Sequence, residues 1–153
     1  MPVNKERLEL YLDQIRSEVQ DMQAILGHSD KEILAGKHNI KSLKYSIIII
    51  TEAIGSSLQH ILAKEHNIVI NGFSEAVNKA KNENLLTSSL IDRLLPFIRF
   101  RNMLVHQYWK IDDQKFLQQL RTGQADFKQF IREISACLSN LDSEPTKSES
   151  DQS

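Results

Sequence analysis

HNIKSLKYSIIIITEAIGSSLQHILAK, residues 38–64, is the stretch on which the fold turns. Its apolar residues recur at Ile40, Leu43, Ile47, Ile50, Ile54, Leu58, Ile61 and Leu62. Steps of three and four place such residues on one face of an α-helix. Taken alone, Ile47-Ile48-Ile49-Ile50 also reads as a buried strand. The spacing runs unbroken on both sides and no turn residues flank the run, which favours a helix. Being apolar on several faces there, it suits the centre of a bundle. An uncovered remainder would suit a contact between two copies of the chain.

The same period extends outward. Leu8, Leu12, Ile15, Val19, Met22 and Leu26 mark an amphipathic helix over residues 5–26, with Asn4 as N-cap and Gly27 at its end. Ser29-Asp30 open a short segment that Gly36 closes. Asn71-Gly72 signals a turn. Ser74 is expected to cap a short helix reaching about residue 82. Ser88 is expected to cap the next, with Leu90, Leu94, Phe97, Ile98 and Val105 as its apolar positions. Pro96 lies inside that helix and should kink it. Asp112 or Asp113 caps a last helix carrying Phe116, Leu120, Phe127, Phe130, Ile131, Ile134 and Leu138, weakened or bent at Thr122-Gly123.

The expected architecture is all-α: one helical domain over residues 1–141, with four or five main helices and no internal repeat. From Asp142 on, DSEPTKSESDQS has no apolar residue except proline, and a disordered tail is expected over 142–153. The 153 residues are 41% hydrophobic and 25% charged, an ordinary globular balance. The single cysteine, Cys137, excludes an intramolecular disulfide and fits a reducing compartment. It reads as filler on the apolar side of the last helix. No secretory signal pattern and no bilayer-length apolar run are visible, so a soluble, cytoplasmic protein is expected. Net charge is −1, from 19 basic and 20 acidic residues, which argues against coating nucleic acid by bulk charge but leaves room for a basic cleft.

Chemistry concentrates in one segment, Arg99-Phe100-Arg101-Asn102-Met103-Leu104-Val105-His106-Gln107-Tyr108-Trp109. Asn102 and His106 share a helical face at i,i+4, as do Arg101 and Tyr108 at i,i+7. Arg101 and His106 are five apart, roughly 140° around an ideal helix. They converge only if the Arg side chain reaches round, the helix end distorts, or two subunits share a cleft. Arg with His, without carboxylate or thiol, suits a phosphodiester. Histidine gives or takes a proton near neutrality, and arginine offers a permanently charged fork to phosphate. RNA brings its own nucleophile, the 2′-hydroxyl, so no metal is required. Asn102 could orient the imidazole. The bland alternative is a surface salt-bridge former beside a hydrogen-bonded histidine.

The run R-N-M-L-V-H-Q-Y resembles the R-x-x-x-x-H-x-Y motif of the HEPN superfamily, specifically the HepT-like toxins of prokaryotic toxin–antitoxin pairs. SIIIITEAIGSSLQHILAK, residues 46–64, is similar to that family's central helix. Phe73-Ser74-Glu75-Ala76 and Asp112-Asp113 fall where similar proteins carry short motifs, and the match covers roughly residues 5–140. The resemblance implies a HEPN-like homodimer with both motifs facing one cleft. It implies a metal-independent endoribonuclease acting on cellular RNA, such as tRNA or mRNA, with Arg101 and His106 catalytic and no cofactor. It implies a partner, a nucleotidyltransferase antitoxin of the MNT family, which transfers AMP to the motif tyrosine, here Tyr108. An adduct there could occupy the phosphate site beside Arg101. A second reading is a HEPN module that binds a nucleotidyltransferase and cuts nothing; a third is a plain scaffold.

Other residues stay open at this stage. Glu52 is either a polar helix-edge or subunit-contact residue, or a partner of Arg101 or His106. His60 reads as packed or interfacial. Lys37, Lys41 and Lys44 form a stripe, ordinarily a solvated face, otherwise a guide for RNA or an acidic partner. Arg93, Arg99 and Lys110 add positive charge near the motif. Trp109 either stacks a base or, as expected first, caps the core. The scattered histidines (28, 38, 60, 66, 106) and single cysteine lack zinc-ligand clustering, and no Glu-x-x-His pair or Gly-rich phosphate loop occurs.

Overall fold

The computed structural model describes residues 2–143, the last two by backbone only. The described chain is all helical: α1 (Lys5–Leu26), α2 (Asp30–Ala35), α3 (Lys37–Glu65), α4 (Phe73–Asn82), α5 (Ser88–His106), a 3-10 turn (Tyr108–Lys110) and α6 (Asp113–Ser143). Five helices have ten residues or more, and α2 is the short segment expected between Ser29 and Gly36. The polar tail expected over 142–153 lies outside the described residues, except that α6 runs on through 142 and 143.

Helix α3 is the centre. It touches all five other helices, most extensively α1. Its expected apolar positions are buried, from Ile40 to Leu62. Ile47 and Ile50 point into the core, while Ile48 and Ile49 are partly exposed. That is the i,i+3 pattern of a helix; a strand would alternate. By length and composition α3 could cross a membrane, yet 67% of its most apolar window is buried among the other helices. Its buried hydroxyls are satisfied: Thr51 donates to the Ile47 carbonyl at 2.6 Å, Ser57 to that of Ala53 at 2.7 Å, and Ser46 to Glu18 of α1 at 2.8 Å.

The helix ends show which residues stop and start the chain. The Asn4 side chain accepts from the Arg7 N–H at 3.0 Å and caps α1. Gly27 ends α1 in a right-handed conformation, φ −67°. Helix α4 begins two residues earlier than a Ser74 cap predicts. Its cap is Gly72, at φ +133°, and the Glu75 carboxylate reaches back to the Asn71 N–H. Asn84, at φ +56°, closes α4, with Leu85 N–H donating to the Ala80 carbonyl and Asn84 N–H to that of Lys81. Thr87, not Ser88, caps α5: its hydroxyl oxygen accepts from Leu90 N–H and donates to Glu133 of α6. Asp112 caps α6, accepting from Gln114 and Lys115.

Two expected weak points lie within continuous helix. Helix α5 runs through Pro96; the carbonyl that a residue there would ordinarily bond belongs to Asp92, which is exposed to water. Helix α6 runs through Gly123, where a side chain would meet the ring of Phe97 at 2.5 Å. The glycine lets α5 and α6 approach, and Phe97 and Phe127 pack with ring centroids 4.8 Å apart.

Candidate active site

The motif residues occupy the end of α5 and the 3-10 turn. Arg101 turns inward to where α3, α4 and α5 meet. Its Nη2 lies 3.5 Å from Glu52 Oε1 on α3 and its Nη1 3.3 Å from Asn102 Oδ1. Its guanidinium carbon stands 4.8 Å above the ring of Phe73, the first residue of α4. The side chain is only 20% exposed, and its Nε is buried without a hydrogen-bond partner. Arg101 is therefore held by a flat aromatic platform and one long ion pair, with donor capacity left unused.

The platform depends on Gly55. A Cβ at that position would fall inside the ring of Phe73, so only glycine lets the ring lie against α3. Sequence reasoning noted Phe73 only within a family motif and missed Gly55. The available signal was a glycine interrupting an otherwise strong helical pattern.

His106 is the last residue of α5 and is exposed. Among the described residues its side chain has no hydrogen bond or ion pair, and none joins it to Arg101. Asn102 bonds Arg101, and no bond joins it to the imidazole. Within one chain, the long side chain does not reach round.

Tyr108 opens the 3-10 turn, 46% exposed. Lys44 Nζ stands 4.2 Å over its ring and 2.9 Å from Asp113 Oδ1. This corrects the lysine stripe: Lys44 is buried, clamped between Tyr108 and Asp113, and only Lys37 and Lys41 face solvent. The ion pair lacks hydrogen-bond alignment, so Asp113 Oδ1 stays without a hydrogen bond at close charge contact. Trp109 is 77% exposed and caps nothing, because the turn carries it off the core. Val105 is also exposed; Leu104 takes the buried position instead. Arg99 and Lys110 are exposed beside the motif. Arg93 does not join them: it bonds Ser89, Asp126 and Gln129, tying α5 to α6.

The family described as Ribonuclease HepT-like matches residues 15–134, which include the whole motif. The chain belongs to the HepT-like ribonuclease family. Comparison with curated proteins finds no significant match. Among solved structures, a cytosolic protein of unknown function from Bacillus subtilis, YutE, superposes with a TM-score of 0.79 at 16% identity, over 94% of this chain and 96% of that one. A tri-AMPylated Shewanella oneidensis HEPN toxin in complex with an MNT antitoxin superposes at 0.78 and 20% identity, over 85% and 97%. A toxin–antitoxin structure with AMP-PNP gives 0.78 at 19%, over 86% and 98%. At these identities the likeness shows the HEPN fold.

Two further residues of this HepT-like chain have plain structural roles. His60 Nε2 accepts from the Asn4 N–H at 2.9 Å, fastening the start of α1 to α3. Burial, with Arg7 and Lys64 nearby, holds its pKa below the ordinary histidine value. Cys137 is half-buried, and burial with neighbouring Glu65 pushes its thiol pKa up, keeping it protonated near neutrality.

Proposed function

We propose that the chain is the toxin of a HEPN/MNT pair: a homodimeric, metal-independent endoribonuclease, silenced by AMP transfer to Tyr108. The observation that carries this reading is the mounting of Arg101, a guanidinium fixed on Phe73 and Glu52 with unused donor capacity, five residues before an unpaired His106. A mostly buried positive fork and a free imidazole, brought together across two copies of the chain, suit a phosphodiester that gains charge as it reacts.

In the proposed reaction the 2′-hydroxyl of RNA attacks the adjacent phosphorus while His106 takes its proton. The bond to the 5′-oxygen breaks, a proton returns to that oxygen, and a 2′,3′-cyclic phosphate remains. Arg101 bears the charge of the pentacoordinate state. Asn102 and Glu52 support the guanidinium. Arg99, Lys110 and Trp109 line the exposed approach, where charge and an aromatic face suit single-stranded RNA. A second copy supplies the convergence that one chain lacks. In silencing, the phenolic oxygen of Tyr108 attacks the α-phosphorus of ATP held by the nucleotidyltransferase. Pyrophosphate leaves, and the phenol proton passes to the partner's base or to solvent.

The first experiment incubates the purified protein with total cellular RNA in EDTA, beside His106→Ala and Arg101→Ala. Defined fragments are expected from the wild type alone, with all three proteins equally folded. Full cleavage by either variant would remove the catalytic assignment. No cleavage by any, with an intact mass showing no adduct, would favour a module that only binds its nucleotidyltransferase. Tyr108→Phe is expected to gain no AMP mass; an adduct persisting there would place the modification elsewhere.

A further inference from the structure

Next to Tyr108 lies a cavity of about 410 Å3 that contains neither Arg101 nor His106 in its wall. That volume is in the range of small-ligand sites, about 300–1,000 Å3. Leu34, Ala35 and Ile40 give it an apolar lining. It is also lined by Lys37 and Lys41, exposed residues that have no ion pair among the described residues. Lys44 and Asp113 complete the wall but neutralise each other, so the cavity keeps two positive charges. The first turn of α3 adds to that field: it has no acidic residue and no side-chain cap on its N–H groups.

We propose that this cavity is a nucleotidyl pocket that receives the AMP attached to Tyr108, its phosphate against Lys37 and Lys41 and its base against Leu34 and Ile40. The proposal rests on the silencing reading given above and deepens it. An apolar lining shared with two cations matches a purine beside a phosphodiester. Tyr108 forms part of the wall, so an adduct begins at the pocket's edge and docks as an intramolecular ligand. RNA carries the same phosphodiester chemistry. However, its scissile bond belongs at Arg101 and His106, which the pocket does not include. Docking would turn the adduct from a tethered charge into a fixed plug beside the motif.

The full-length unmodified protein is titrated with AMP, inorganic phosphate and adenosine, as wild type and as Lys37→Ala/Lys41→Ala. Both lysines are exposed, so the fold is expected to survive. AMP is expected to bind more tightly than either fragment and to lose about tenfold in affinity in the double variant, equivalent to roughly 1.4 kcal/mol. Equal AMP affinity in both proteins overturns the proposal. In a second arm the protein is modified by its nucleotidyltransferase partner with ATP, and the adduct is digested with a phosphodiesterase. Faster release of AMP from the double variant is expected; equal release overturns docking of the adduct. If no mass appears on Tyr108 in the wild type, the silencing reading fails, while the AMP titration still judges the pocket. A third arm measures binding of an RNA oligonucleotide in the His106→Ala background. Loss of RNA affinity in the double variant with unchanged AMP affinity would assign the lysines to substrate and remove the proposal.

Discussion

Arg101 owes its position to residues far from it in sequence. Gly55 admits the ring of Phe73, the ring carries the guanidinium, and Glu52 pulls from the side. Gly55→Ala therefore isolates the platform. By helix propensity alone, alanine would stabilise α3 by up to about 1 kcal/mol. The clash with Phe73 opposes this, and over-packing of this kind costs about 1–3 kcal/mol. The expected net result is a lower unfolding midpoint together with a loss of RNA cleavage at temperatures where the variant is fully folded. Phe73→Leu is the gentler companion. It keeps an apolar contact at a partly buried position, is expected to cost about 1 kcal/mol as ordinary point substitutions do, and removes the aromatic face. Cleavage at wild-type rates in both variants would show that Arg101 does not depend on the ring. The motif itself was legible in the sequence because it is contiguous. Its platform was not, because a stacking contact between α4 and α5 leaves no periodicity to read.

At the scale of elements, apolar spacing located the helices, and short-range chemistry misplaced some of their ends. Ser74 and Ser88 both look like caps, yet Gly72 and Thr87 take the role. Thr87 is chosen because its hydroxyl also reaches Glu133 on α6, a contact 46 residues away. The start of α1 is likewise fixed from outside, by His60 on α3. Accepting the Asn4 N–H requires a neutral imidazole, and the folded state lowers the histidine pKa. The unfolded chain thus binds the proton more readily. This contribution is whole above the ordinary histidine pKa of about 6.5 and is lost as pH falls through the lower folded value. Chemical denaturation at pH 7.5 and then at progressively lower pH should show wild type losing stability that His60→Gln does not lose. Parallel pH profiles would dissociate His60 from the effect. Gly123 is the matching case in α6. Gly123→Ala improves propensity but meets Phe97, and a net destabilisation of about 1–2 kcal/mol is expected from thermal unfolding. A stabilised variant would mean that α5 and α6 can separate without cost.

For the whole molecule, the unfinished part is one face. Tyr45, Ile48, Ile49 and Glu52 share a side of α3 at i, i+3, i+4 and i+7, and Tyr45 is 59% exposed. The Arg101–Glu52 pair places the end of α5 next to them, with Val105 one turn beyond Arg101 and 49% exposed. An apolar strip bordering a charged site suits a second copy of the chain better than water. The same step addresses the chemistry, since Arg101 and His106 are not joined within one chain and a two-fold related partner brings a second set to the same border. Ile49→Lys tests both at once: Ile49 is partly exposed and outside the packed core, so the substitution should spare the fold. The expected result is a dimer in sedimentation for wild type, a monomer of unchanged helical content for the variant, and loss of RNA cleavage with the dimer. A monomeric variant that still cuts RNA would place the complete active site within a single chain. A wild type that is monomeric at micromolar concentration while cutting RNA would lead to the same conclusion, and the exposed strip would then be free for a different partner.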